Sequence, residues 1–117
     1  MERLSRSDSL TGLMNRRAFD DVAQSMMRQH ASKEGVTVFL MDIDGFKPIN
    51  DSYSHEAGDA VLRAIATRLK LIAGRDGLVA RLGGDEFAIL RTSIASVQAA
   101  VQFGGKIAKV ISQPVLF

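Results

Sequence analysis

The chain has 117 residues, 46% of them hydrophobic and 24% charged, with two Pro, ten Gly and no Cys. At roughly 100–200 residues per domain this predicts one globular domain over residues 1–117, and the lack of cysteine excludes a disulfide scaffold or a Cys-ligated zinc or iron–sulfur site. Fifteen Lys and Arg against thirteen Asp and Glu leave a net charge of +2, with six Phe, one Tyr and no Trp, too little positive field and too few stacking rings to suggest a nucleic-acid partner.

The opening MERLSRSDSL carries charges throughout and no apolar h-region, and no apolar run approaches the roughly 20 residues of a membrane span, so a soluble, cytoplasmic domain is expected. Behind Asn15, a candidate N-cap, Phe19, Val22, Ala23, Met26 and Met27 recur at helical spacing and predict an amphipathic helix over 16–30, with both Met in the core. Val36 to Met41 is a short apolar run with β-branched members, between Gly35 and Asp42, and predicts a strand buried on both faces. Residues 42–59 read as a polar connection.

Val61, Leu62, Ile65, Leu69 and Ile72 predict a second helix stopping near Gly74. Leu78–Leu82 and Glu86–Leu90 predict a hairpin around Gly83, Gly84 and Asp85. Ile94, Val97, Val101, Ala108 and Ile111 predict a third helix, ended by Pro114 and weakened by Gly104 and Gly105, each about 1 kcal/mol less favourable than Ala. This order gives an α+β fold in which the hairpin lies beside the first strand in one sheet covered by helices.

Such a sheet brings the end of the first strand, with Asp42 and Asp44, near the hairpin turn with Asp85 and Glu86. Carboxylates gathered in a small volume repel unless a cation neutralises them. Oxygen ligands without Cys point to Mg²⁺ or Mn²⁺ rather than zinc. Lys47 follows the first acidic pair closely, and Gly83 and Gly84 allow close backbone approach, so a metal-bound nucleoside triphosphate fits. Neither a Walker A motif nor GxGxxG is present.

The segments Asp8-Ser9-Leu10-Thr11-Gly12-Leu13-Met14-Asn15-Arg16-Arg17, Asp42-Ile43-Asp44-Gly45-Phe46-Lys47, Asn50-Asp51, His55, Gly58-Asp59 and Arg81-Leu82-Gly83-Gly84-Asp85-Glu86-Phe87 occur in the order and spacing of a known family. The chain resembles a GGDEF domain of the diguanylate cyclase family from about Asp8 to Leu90. The resemblance implies a palm-like antiparallel sheet, as in nucleotide cyclases, and condensation of two GTP into cyclic di-GMP with release of pyrophosphate in a homodimer holding one GTP per protomer. It implies that Asp42, the Ile43 carbonyl and Glu86 hold Mg²⁺ or Mn²⁺, and that Asp85 lies near the ribose 3′-hydroxyl. It further implies that Asn50 and Asp59 read the guanine edge, and that Lys47 and the backbone near Phe46 bind phosphates beside Gly83 and Gly84. Leu10, Leu13 and Phe19 are expected to pack, and Arg16 and Arg17 to be solvated.

Two departures stand out. The family's Arg-x-x-Asp product-binding pair falls on Gly74 and Gly77, with Arg75 and Asp76 out of register. The chain also stops at Phe117, before the family's last strand and helix, so an incomplete domain is expected, with sensory or EAL domains in a longer parent. The rival expectation is a non-catalytic GTP-binding or regulatory GGDEF module.

Overall fold

A computed structural model describes residues 5–30, 35–43, 55–92 and 94–115. In chain order the elements are α1 (Arg16–His30), β1 (Thr37–Asp42), α2 (His55–Ala73), β2 (Gly77–Gly83), β3 (Glu86–Arg91) and α3 (Val97–Ile111). The strands form an antiparallel sheet in the order β1-β3-β2, the expected α+β arrangement.

Alternation along β3 explains how one short strand organises the core. Phe87 and Ile89 point to a cluster built with Val61, Leu62, Ile65 and Leu69 of α2 and Phe103 and Ile107 of α3. Ala88 and Leu90 point to the opposite face, where Phe19 and Ala23 of α1 pack with Ala80 of β2. The doubly buried strand is therefore β3, not the first strand as the apolar run 36–41 suggests. β1 pairs only with β3 among the described residues and alternates in burial, with Val38 41% and Leu40 70% exposed. An uninterrupted apolar run does not distinguish a central strand from an edge strand whose second face is bare.

Helix boundaries follow local capping. The Asn15 side-chain oxygen accepts from the Ala18 amide at 2.9 Å, the expected N-cap of α1. The inward stripe of α1 runs through Phe19, Ala23 and Met26, whereas Met27, one position further round the helix, is exposed and not core. Helix α2 begins at His55, inside the stretch expected to be a connection, because Glu56 in its first turn complements the helix dipole and Gly58 is buried. Asp59 therefore stands on a helix.

α3 starts later than its apolar pattern implies. Ser96 accepts from the Ala99 amide and caps it, leaving Ile94 ahead of the helix but packed against the core. A Cβ on Gly104 would meet the Phe39 ring carbons at 3.9 Å, an ordinary van der Waals contact, and the Phe39 ring itself packs 5.1 Å from that of Phe103. The end of α3 is held from α2: Arg68 donates to the carbonyls of Val110 (3.3 Å), Gln113 (2.8 Å) and Pro114 (2.7 Å), in the last turn of the helix and just beyond it.

Candidate active site

The two acidic segments meet through the sheet register. Asp42, the last residue of β1, is directly opposite Glu86, the first of β3. Opposed residues of an antiparallel pair share a face with Cβ atoms about 4.5–5.5 Å apart. Both side chains are exposed. One residue further, the Ile43 amide donates to the Asp85 carbonyl at 3.1 Å, and the Ile43 side chain is buried, which fixes the strand end against the turn. Like charges directly opposite are destabilising, and no packing purpose accounts for an exposed Asp–Glu pair.

The turn between β2 and β3 is Gly84-Asp85. Gly84 has φ of 40°, a conformation strained for any other L-residue, and a register shift between Arg81 and Gly83 breaks the ladder just before it. Asp85 is half-buried, and Gly83 and Gly84 are exposed beside it.

These groups fit a hard divalent cation in part. Mg²⁺ ordinarily takes one or two protein carboxylates and keeps its remaining positions for water and substrate phosphate, a demand that Asp42, Glu86 and the main-chain carbonyl of Ile43 can meet. Among the described residues no group of three or more His, Cys, Asp or Glu is placed to hold a metal. The backbone pairs Asp42 with Glu86, and Asp85 enters the contact through its carbonyl. Asp44, Phe46, Lys47 and Asn50 lie outside the described residues. Asp59 is half-buried on α2.

A feature without a local sequence signal supports the turn. The loop before α1 closes on itself: the Asp8 amide donates to the Leu13 carbonyl (2.7 Å) and the Gly12 amide to the Asp8 carbonyl (2.8 Å). Leu13 is buried and Leu10 packs against the core, as expected, and Arg16 and Arg17 are exposed. The Asp8 carboxylate accepts from the Thr11 amide (2.9 Å) and hydroxyl (2.7 Å) and from Arg81 Nη1 (3.1 Å). Burial by itself pushes the Asp8 carboxyl up, but the Thr11 hydrogen bonds and the Arg81 charge together outweigh it and hold it below its ordinary value. Asp8 and Arg81 are 73 positions apart, so only the fold reveals the pair.

Residues 5–115 match the family described as diguanylate cyclase, GGDEF domain. The chain belongs to the GGDEF family. Diguanylate cyclase VdcA of Vibrio cholerae is 43% identical over 107 residues, which are 91% of this chain and 30% of VdcA. Cyclic di-GMP phosphodiesterase NbdA of Pseudomonas aeruginosa is 40% identical over 91 residues, 77% of this chain and 12% of NbdA. The GGDEF chain thus spans less than a third of either relative's length. A solved structure of a shortened Pseudomonas aeruginosa TpbB comprising only the GGDEF domain superposes with a TM-score of 0.87 at 40% identity, covering 93% of this chain and 64% of that one. The GGDEF fold is thereby shared, and no helix among the described residues is long and apolar enough to cross a membrane.

Proposed function

We propose that this GGDEF domain condenses two GTP into cyclic di-GMP with release of pyrophosphate, each protomer of a homodimer presenting one GTP. The cross-strand opposition of Asp42 and Glu86 carries this reading. These carboxylates and the Ile43 carbonyl would hold Mg²⁺ or Mn²⁺, which supplies charge stabilisation at the α-phosphate and the leaving pyrophosphate. Asp85 lies next to the site and would face the attacking ribose 3′-hydroxyl, and Gly83 and Gly84 would admit phosphate close to the backbone. Lys47 and the backbone near Phe46 would complete the phosphate contacts. The setting would be cytoplasmic, in a longer signalling protein that adds sensory or EAL domains.

Incubating the chain with GTP and Mg²⁺ and assaying cyclic di-GMP tests the reading directly. A second reading has its own observation: β1, which bears Asp42, has one strand neighbour among the described residues and a bare face at Val38 and Leu40. An open edge leaves backbone donors and acceptors unpaired and supports the strand weakly, so these 117 residues alone would bind GTP while turning it over slowly. A chain extended to the length of the matched GGDEF domain is expected to form cyclic di-GMP faster per molecule; equal rates would remove this second reading.

Base specificity follows from Asp59 with Asn50. A guanine edge offers N–H donors to a carboxylate and an acceptor to an amide, whereas adenine does not. An unpaired buried polar group costs about 1–3 kcal/mol, so GTP should outcompete ATP by about tenfold or more in competition binding. Equal affinity would remove both residues from base reading.

Product binding at the family's inhibitory pair is expected to be absent. Gly74 ends α2 with φ of 67°, and a Cβ on Gly77 would lie 2.6 Å from the Ala73 carbonyl oxygen and 2.7 Å from the Ala73 Cβ. Glycine is demanded there by close approach, and it offers neither guanidinium nor carboxylate. Titrating cyclic di-GMP without GTP should perturb no resonance at residues 74–77. A saturable shift there would implicate the exposed Arg75 and Asp76 instead.

A further inference from the structure

The two glycines in the middle of α3 have no packing reason to be there. The helix runs unbroken from Val97 to Ile111, yet a Cβ on Gly105 would meet nothing within 4 Å, and one on Gly104 would make only an ordinary contact with the Phe39 ring. Alanine would fit both positions and favour the helix, so what the pair contributes is weakness at its centre. Ahead of it the first half is seated: Ser96 caps it, and the buried Phe103 ring lies 5.1 Å from the Phe39 ring and 4.8 Å from the Arg91 guanidinium above its face. Behind it the second half buries Ile107, and Ile111 and Val115 pack against the core. This half forms one wall of a groove whose other wall is β1 from Val38 to Asp42.

The second half ends on a polar fastening from α2. Arg68 Nη1 donates to the Val110 and Gln113 carbonyls and Nη2 to the Pro114 carbonyl, and Pro114 has no N–H with which to build a turn of its own. Among the described residues Arg68 has no carboxylate partner, so its charge is answered by these carbonyls, at the negative end of the α3 dipole. We propose that Gly104-Gly105 is a hinge and Arg68 its latch: residues 106–115 form a flap that opens from the groove along β1 as one unit, while the first half of α3 stays in place. So short a helix does not hold itself together in water, and opening therefore releases its hydrogen bonds as well. It also uncovers the core side of β1 up to Asp42, on an edge strand that has one strand neighbour among the described residues. The bearing of this motion on GTP rests on the reading of Asp42 as a metal ligand. The hinge itself does not.

Amide exchange in the folded chain, below its melting temperature and without ligand, tests the hinge. Arg68→Lys keeps the charge but cannot aim two nitrogens at three carbonyls. Exchange at Ala108 and Ser112 is expected to accelerate together, about tenfold, with Phe103 in the first half of α3 and Leu69 in α2 unchanged. Gly105→Ala adds a methyl group in open space and is expected to slow exchange at the same two amides about fivefold, again with Phe103 unchanged. Unchanged rates in Arg68→Lys, a change at Ser112 alone, as in fraying of the last turn, or equal changes at Phe103 and Ala108, as in a helix that opens in one piece, would each overturn the proposal. If the unsubstituted chain bound no Mn²⁺–GTP, the metal reading of Asp42 would fail, while these exchange rates would still decide the hinge.

Discussion

Glu86→Gln is expected to cut metal-dependent turnover of GTP by about a hundredfold to a thousandfold, because a cation acting on a phosphoryl oxygen contributes several kcal/mol of charge stabilisation and each 1.4 kcal/mol is about tenfold. The substitution keeps the shape of the side chain and removes half of the opposed charge. It should therefore move stability the other way: Asp42 and Glu86 face each other across β1 and β3, and relieving like-charge opposition is worth about 0.2–1 kcal/mol. A slightly raised melting temperature in metal-free buffer, together with lost Mg²⁺-dependent cyclic di-GMP formation, would separate a ligand from a structural carboxylate. Activity with unchanged metal dependence would remove Glu86 from the site.

The same pair shows what the sequence made legible. Asp42 at the end of an apolar run and Glu86 behind a glycine turn sufficed to place both at one end of a sheet, because strand ends and hairpin turns share that edge. The helices were equally readable, since Phe19 and Ala23, or Ile65 and Leu69, recur with the helical period. Strand order was not. Val36–Met41 and Glu86–Leu90 have similar composition, yet β3 takes the centre and leaves Leu40 open to solvent. Composition records how apolar a strand is, and its neighbours decide how many faces are covered. The His55 start of α2 was hidden by a polar stretch, where tertiary packing of Gly58 overrides weak local propensity. The Asp8–Arg81 link was hidden for a different reason: both residues stood in recognisable motifs, but nothing local relates charges 73 positions apart.

Because β3 is central, its first core residue couples stability to the site. Phe87 follows Glu86 directly, is 0% exposed, and is opposite Met41 on β1 and Arg81 on β2. Phe87→Ala is expected to cost about 3–5 kcal/mol, as truncation of a fully buried ring leaves a cavity that its surroundings fill only partly. Against a total stability of about 5–15 kcal/mol for a typical domain, that is a large share or all of it. Urea unfolding should show a midpoint shifted far down or a chain already unfolded, with cyclic di-GMP formation lost in parallel. Phe87→Leu retains most of the buried volume and should stay folded, so the loss can be traced to the cavity. Leu40→Ala, on the bare face of β1 at 70% exposure, removes an apolar side chain of ordinary size and should change stability by about 0.5 kcal/mol or less. The contrast between two neighbouring strands of one sheet then reports burial rather than composition: comparable losses at Leu40 and Phe87 would mean that β1 is covered on both faces.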